Sequence, residues 1–132
     1  MPEPFEGKRI LIVDDDPDIV TAIRAAFGDT GAELEQASDG NAALEAAEAR
    51  EPDLIVLDAM LPKRSGFLVL EKLKARKPRG AKPYVIMITG NQGKRHQQWA
   101  LSLGVDDYLN KPFRMERLVK SASKLLGSNG AN

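Results

Sequence analysis

The fold is decided by three continuous apolar runs, Ile10-Leu11-Ile12-Val13, Leu54-Ile55-Val56-Leu57 and Val85-Ile86-Met87-Ile88. Charged or turn residues bound each run, which predicts short strands that are buried on both faces of a sheet. The segments 32–37 and 105–109 are mixed or partly charged, so we predict strands there that lie nearer the edges of the sheet. The sequence therefore predicts five strands.

Helical patterns lie between the predicted strands. The clearest covers residues 115–126, where the apolar residues recur at intervals of one or three and form a single face. A start signal precedes the pattern at residues 17–28, because Asp16 can cap a helix and Pro17 suits the first helical position. The remaining helices are predicted over residues 41–50, 66–76 and about 92–103.

Strand and helix alternate five times along the chain, and this order requires right-handed crossovers and a parallel sheet. We predict an α/β fold with a five-stranded parallel sheet in the order 2-1-3-4-5, doubly wound in the flavodoxin-like manner with helices on both faces. The length of 132 residues fits a single domain over residues 1–132. We expect its core to run from about residue 8 to residue 126, with flexible ends at 1–7 and 127–132.

The composition narrows the possible chemistry. With no cysteine, the chain has no disulfide, thiolate zinc site or thiol nucleophile, and the single His96 cannot build a histidine metal cluster. Any metal must therefore be held by oxygen. No apolar run approaches the roughly 20 residues that span a bilayer, so we expect no membrane partner and predict a cytoplasmic protein.

Charge is distributed unevenly along the chain. Residues 1–58 hold 15 acidic and 4 basic residues, whereas residues 59–132 hold 4 and 15, although the net charge is zero. A basic stretch between Lys63 and Lys82 could meet an acidic partner, but we interpret it as a solvated helix and loop. It contains no reading-helix motif, so we do not expect direct binding to nucleic acid.

Polar residues follow four of the predicted strands, at the carboxyl ends where such sheets bind ligands. Asp14 and Asp15 follow the first strand, Asp58 follows the third, Thr89 the fourth and Lys111 the fifth. Because these strands are adjacent in the predicted order, their side chains should converge on one cleft. Three ionised carboxylates repel one another at pH 7, so a positive charge must lie among them.

A hard divalent cation can supply this charge. Mg²⁺ takes oxygen ligands, and one or two carboxylates with a phosphate oxygen suit its octahedron; Mn²⁺ is an alternative. Three carboxylates, the cation and Lys111 are together neutral, so an arriving phosphoryl group is not repelled. Asp58 can then attack phosphorus in line, while Lys111 neutralises the transferring oxygens and Thr89 donates a hydrogen bond to one of them. The predicted product is an aspartyl phosphate on Asp58.

Four motifs carry a family resemblance. They are Val13-Asp14-Asp15, then Leu57-Asp58 with Met60-Leu61-Pro62 and Gly66, then Thr89-Gly90, and the segment from Gly104 to Phe113. With these motifs the chain resembles the receiver domain of two-component response regulators over about residues 8–126. The departures are mild, since Gly90 stands where the family often has Ala, and Lys63-Arg64-Ser65 stands where Gly-Met-Asp often precedes the glycine.

The resemblance implies a ligand set and a phosphodonor. Asp15, Asp58 and the Met60 carbonyl would bind Mg²⁺ directly, with Asp14 helping through water. Asp58 would accept the phosphoryl group from a histidine kinase or a histidine phosphotransfer protein. The protein would then be a signalling module that catalyses only its own phosphorylation and autodephosphorylation. Its downstream partner would be a target protein or an output domain absent from this chain.

The resemblance also implies a switch. Thr89 would move toward the phosphoryl group, Tyr108 would swing into the space it leaves, and the surface of the fourth helix, fifth strand and fifth helix would be remodelled for a partner. The bond between Lys111 and Pro112 would be cis. By analogy, the phosphodonor would dock on Asp18, Ile19 and Ala22 of the first helix together with Pro112 and Phe113.

Three alternatives remain beside this interpretation. A receiver-like scaffold that is never phosphorylated would use the same fold for protein contacts. A haloacid-dehalogenase-type phosphatase is suggested by the Asp-x-Asp within Asp14-Asp15-Asp16, although Asp18 stands where that family has Thr or Val. A flavin-binding domain is disfavoured because three acids would repel the flavin phosphate. Elsewhere, we expect Trp99 and Phe27 to face the core and His96 to be exposed.

Overall fold

The computed structural model describes residues 3–78, 80–90 and 93–127. Its elements are, in chain order, β1 (Arg9–Val13), α1 (Pro17–Phe27), β2 (Glu33–Ala37), α2 (Gly40–Ala49), β3 (Leu54–Asp58), α3 (Gly66–Lys74), β4 (Tyr84–Thr89), α4 (Lys94–Ser102), β5 (Asp107–Asn110) and α5 (Met115–Leu126). All strand pairs are parallel, and the sheet has the order β2-β1-β3-β4-β5. The predicted doubly wound α/β fold and its strand order are therefore confirmed.

Side chains that alternate along the strands divide the core into two layers. In β1, Ile10 and Ile12 pack with α1 and α5 on one face, while Leu11 and Val13 pack with α2, α3 and α4 on the other. Every residue of β3 is buried, whereas β2 has only one buried residue because it lies at an edge. This difference in burial explains why the inner strands have continuous apolar sequences and the edge strands do not.

Aspartate side chains cap the first two helices, and the cap of α1 was predicted from the sequence. The Asp16 carboxylate accepts a hydrogen bond from the Asp18 N–H at 2.9 Å, and Pro17 begins α1. The Asp39 carboxylate caps α2 in the same way, with the Ala42 N–H at 2.8 Å. Each cap fixes the angle at which its helix leaves the carboxyl end of the preceding strand. Within the described ranges, no helix is long and apolar enough to cross a membrane.

Phe5 lies in the segment 1–7 that was predicted to be a flexible end, and that prediction is wrong for this residue. Its side chain is fully buried, and its ring lies 6.0 Å from that of Phe27 between centroids. Its N–H also donates to the Thr30 carbonyl at 2.8 Å. Burying an aromatic side chain stabilises a fold by about 1.5–3 kcal/mol, which is enough to hold this segment on the core. Of the predicted flexible end at 127–132, residues 128–132 lie outside the described ranges.

Trp99 does not face the core, so that prediction is also wrong, whereas Phe27 is buried as predicted. Trp99 is 45% exposed and stacks flat on Phe67, with ring centroids 4.4 Å apart. His96 lies half-buried beside the same Phe67 ring at 5.7 Å, rather than exposed. In the described residues of α4 only Ala100 is buried, so this helix covers the sheet with a small residue and leaves its aromatic side chain outside.

Lys74 corrects the interpretation of the basic stretch as a solvated segment. Its ammonium group is buried and pairs with the Asp106 carboxylate at 2.8 Å. The same nitrogen donates to the Ala81 carbonyl at 2.9 Å, and Asp106 accepts the Val85 N–H at 2.8 Å. The pair therefore joins the end of α3 to the starts of β4 and β5, at the end of the sheet opposite the carboxylates.

Candidate functional site

Three carboxylates meet at the carboxyl ends of β1 and β3. Asp14 and Asp15 follow β1 directly, and Asp58 is the last residue of β3, which pairs with β1. One oxygen from each carboxylate lies within 4.8 Å of the others. Asp14 and Asp58 are buried and Asp15 is exposed, so the cluster is open to solvent on one side. The predicted convergence of these side chains is confirmed.

Main-chain hydrogen bonds orient the two buried carboxylates. Asp14 Oδ1 accepts the Asp16 N–H at 2.9 Å, and Asp58 Oδ1 accepts the Met60 N–H at 3.2 Å. Gly66 then closes the loop after β3, because its N–H donates to the Ala59 carbonyl at 2.8 Å. The acids are therefore held close together by the loops that follow their strands, in spite of their mutual repulsion.

Lys111 is the basic side chain that reaches this cluster in the described structure. Its Nζ lies 3.4 Å from Asp14 Oδ2 and 3.8 Å from Asp58 Oδ1. The peptide bond to Pro112 is cis, as predicted, and the Lys111 N–H donates to the Thr89 carbonyl at 2.7 Å. One ammonium group against three carboxylates leaves an excess of two negative charges when all are ionised. This excess matches the charge of a divalent cation.

The charge of Asp58 is destabilised by its surroundings. Burial is the largest cause, and it acts with the neighbouring Asp14 to raise the pKa of Asp58 from 3.8 to about 6. Asp15 also raises this pKa. The Met60 N–H and Lys111 lower it, but the net shift stays upward. An added cation therefore stabilises the ionised form of a carboxylate that is buried among like charges more than it stabilises an exposed one.

Thr89 and Tyr108 lie on the strands next to the carboxylates. Thr89 ends β4 and is buried, and Tyr108 lies on β5 beside Met87 in the strand register. Burial raises the pKa of Tyr108, while the neighbouring Thr89 side chain acts in the opposite direction. The two residues lie on adjacent strands, and the Tyr108 hydroxyl is buried without a hydrogen-bond partner among the described residues.

The remaining predicted site residues lie around this centre. Met60 contacts Asp58 through its N–H, and its side chain is 64% exposed. Ile19 and Phe113, from the predicted phosphodonor surface, are half-buried and pack against the same core cluster. Asp18 and Pro112 are exposed beside them.

Gly66 has a role that the sequence did not reveal, although it belongs to the quoted motifs. A Cβ on this residue would lie 2.2 Å from the Asp58 carbonyl oxygen and 2.7 Å from the Ala59 Cα. Glycine therefore lets α3 begin directly against the backbone of Asp58. The only sequence signal is a glycine at the start of a helix behind the capping Ser65, which does not by itself indicate close packing.

Comparisons with known proteins identify the family of this chain. The sequence model of the response regulator receiver domain matches residues 10–123. The alkaline phosphatase synthesis transcriptional regulatory protein PhoP of Bacillus subtilis is 42% identical over 107 residues, which cover 81% of this chain and 43% of that protein. The probable transcriptional regulatory protein TcrX of Mycobacterium tuberculosis is 36% identical over 92% of this chain and 50% of its own length.

Solved structures show the same fold. A CheY-like response regulator receiver domain protein from Methanospirillum hungatei has a TM-score of 0.82 at 32% identity, over 95% of this chain and 98% of that one. The chemotaxis response regulator CheY4 of Vibrio cholerae has a TM-score of 0.80 at 27% identity, over 89% of this chain and 98% of its own. The chain belongs to the response regulator receiver domain family. It spans about half the length of the curated relatives.

The donor set fits the cation that receiver domains bind at such a cluster. Three carboxylates within 4.8 Å of one another offer hard oxygen ligands, and the exposed Asp15 leaves a path from solvent. Mg²⁺ is typically bound through one or two carboxylates and keeps several waters, which an open cluster permits. Among the described residues the cluster has carboxylate ligands and no histidine or cysteine, so its chemistry favours Mg²⁺ or Mn²⁺ over zinc.

Proposed function

We propose that Asp58 accepts a phosphoryl group from a histidine kinase or a histidine phosphotransfer protein. The observation that carries this proposal is a buried carboxylate with a raised pKa, packed beside Asp14, Asp15 and Lys111. In a structural ion-pair network the charges would be balanced, whereas this cluster has a negative excess. Binding of a cation and a phosphoryl group would relieve this excess.

In the proposal, Asp14, Asp15 and Asp58 hold Mg²⁺ or Mn²⁺ together with the Met60 carbonyl. The bound cation would supply charge stabilisation for the transferring oxygens. The residues of the chain carry the remaining steps. A carboxylate oxygen of Asp58 forms a bond to phosphorus while the phosphorus–nitrogen bond to the donor imidazole breaks, and the imidazole nitrogen takes a proton from solvent.

Two side chains orient the transferred group. The Lys111 ammonium, already 3.8 Å from Asp58, neutralises charge on the phosphoryl oxygens. The Thr89 side chain moves toward the phosphoryl group, and its hydroxyl donates a hydrogen bond to one of these oxygens. This movement changes how Thr89 packs beside Tyr108. In the proposal, the domain catalyses only its own phosphorylation and autodephosphorylation.

We propose that the signal reaches a downstream partner through Thr89 and Tyr108. A change at Thr89 and Tyr108 would remodel the surface of α4, β5 and α5 for a downstream target or an output domain on a longer chain. The names of PhoP and TcrX describe transcriptional regulators that are about twice as long as the matched region, which supports an output domain. The cytoplasmic location stays a prediction.

The test is to incubate the full chain with acetyl phosphate and to record its intact mass with Mg²⁺ and with a chelator. We expect one added phosphoryl group in the presence of Mg²⁺ and none in the chelator. Hydroxylamine should remove the group, because an acyl phosphate is cleaved by this nucleophile. A mass that stays unchanged under all conditions would favour the unphosphorylated scaffold. Continued hydrolysis of an unrelated phosphate ester would favour the phosphatase.

Replacing Lys111 with Ala is expected to separate cation binding from switching. The ammonium faces carboxylates that the cation would also bind, so its removal should leave Mg²⁺ affinity intact or slightly raised. The changes that beryllofluoride induces in the amide spectrum should become weaker, because the ammonium contacts the phosphoryl group. Calorimetric titration with MgCl₂ and the amide spectrum measure the two effects.

The matched control is Lys120→Ala, which removes an exposed ammonium from α5. It should change neither the Mg²⁺ affinity nor the response to beryllofluoride. Equal loss of both properties in Lys111→Ala would contradict the assignment of Lys111 to the phosphoryl group.

A further inference from the structure

A groove lies between the outer edge of the sheet and the start of α5. This β5–α5 groove encloses about 370 Å³ and is lined by Tyr108, Leu109, Asn110, Phe113, Arg114 and Arg117. Among the described strands, β5 pairs with β4 alone, so its other side is an open sheet edge. Such an edge offers main-chain donors and acceptors to an extended peptide.

Two guanidinium groups in this groove have no side-chain partner among the residues that the structure describes. Arg114 and Arg117 are exposed, and in the described ranges neither side chain makes an ion pair or a hydrogen bond. Arg50 and Arg64 are engaged, with Glu33 and Asn41 at 3.0 Å each, whereas the exposed Arg76 and Arg95 also lack such a partner in the described ranges but do not line this groove. Arg114 is the N-cap residue of α5 and Arg117 lies in its first turn, and both line the groove, so their guanidinium groups can offer paired donors to carboxylates.

No acid among the described residues forms an ion pair with these arginines. Asp107 is occupied, because its carboxylate accepts the Tyr108 N–H at 2.8 Å and also the Ser121 hydroxyl. Asp106 pairs with Lys74 on the far side of the strand. Among the described residues, α4 and α5 contain a single acidic residue, Glu116. They contain five basic residues, which are Lys94, Arg95, Arg117, Lys120 and Lys124. The surface around the groove is therefore positively charged.

We infer that the β5–α5 groove binds an extended acidic segment of a partner protein, whose carboxylates meet Arg114 and Arg117. An apolar side chain of that segment would pack on Phe113. Charge complementarity favours this occupant over a second copy of the chain, because a two-fold interface would place this basic surface against itself. The inference rests on the proposed function only for its link to phosphorylation, since Tyr108 lines the groove and lies on the strand that pairs with the strand of Thr89.

The test uses a fluorescein-labelled peptide in which aspartate alternates with leucine, titrated into the full chain by anisotropy. The measurement is made in Mg²⁺ with and without beryllofluoride, and amide shifts locate the site. We expect shifts at residues 108–117 and binding about tenfold weaker or more in the double variant R114E/R117E. The control K72E/R76E reverses two exposed bases at the end of α3 and should bind the peptide as the wild type does.

Several results would overturn the inference: no binding, equal weakening in K72E/R76E, or equal affinity for a peptide with asparagine in place of aspartate. A dimer in sedimentation that R114E/R117E dissociates would show that a second copy occupies the groove, and would also overturn it. Peptide binding without any phosphoryl mass shift would contradict the proposed function alone. A mass shift without peptide binding would contradict this inference alone.

Discussion

Asp58→Asn is expected to abolish the phosphoryl mass shift and, without divalent cations, to make the protein more stable at pH 7. The loss of phosphorylation follows because an amide cannot form the acyl phosphate. The gain in stability follows because the wild-type carboxylate is buried beside Asp14, and this surrounding raises its pKa to about 6. A neutral amide of the same shape avoids the cost of burying that charge.

The pH dependence has a defined sign. Because the folded pKa is raised from 3.8 to about 6, the folded protein keeps this proton over a range where the unfolded chain loses it. The free energy of unfolding therefore falls as pH rises from about 4 to about 6, by about 2–3 kcal/mol, and then levels off. The stability difference between Asp58→Asn and wild type should be small below pH 4 and reach its full size above pH 6.

Urea unfolding at several pH values, in a chelator, measures this difference. Asp29→Asn is the control, because it removes an exposed carboxylate outside the cluster. Added Mg²⁺ should stabilise the wild type at pH 7 and have much less effect on Asp58→Asn. A variant that is less stable than wild type at pH 7 in the chelator would contradict the repulsion argued for this site.

The sequence predicted the sheet well because burial controls its strands so strongly. β1, β3 and β4 are covered by helices on both faces, and this environment favours apolar side chains, so Leu54-Ile55-Val56-Leu57 and its counterparts in β1 and β4 are visible as continuous runs. The position of each carboxylate then follows from topology, since parallel strands bring their carboxyl ends to one edge. The predicted helix bounds lie within two residues of the observed ones, and α1 begins directly after Asp16, the cap that was predicted for it.

The features that the sequence did not predict depend on contacts between distant residues. Phe5 is an isolated aromatic side chain in a polar segment, and only the position of Phe27 shows that it is buried. Trp99 was assigned to the core by its chemistry, but the small Ala100 fills that place. The pair of Lys74 with Asp106 joins charges 32 positions apart in sequence, and no local pattern marks it. The raised pKa of Asp58 likewise depends on distances that appear only when the chain is folded.

Gly66→Ala is expected to be strongly destabilising, because the new methyl group would meet the backbone that carries Asp58. Its Cβ would lie 2.2 Å from the Asp58 carbonyl oxygen, and the obstacle is main chain at the end of a buried strand. Either α3 must move outward or the loop after β3 must shift. Overpacking of this kind costs about 1–3 kcal/mol, and a contact with rigid backbone belongs at the upper end of that range.

The matched control is Gly90→Ala, where a Cβ meets no atom within 4 Å among the described residues. This substitution should leave the free energy of unfolding nearly unchanged. Because the Met60 N–H that orients Asp58 lies in the same loop, Gly66→Ala should also slow phosphorylation by acetyl phosphate in the fraction that remains folded. Urea unfolding and the rate of the mass shift measure the two effects. Normal stability in Gly66→Ala would show that α3 can move away from β3 at little cost, and its start would then not fix the position of the acceptor carboxylate.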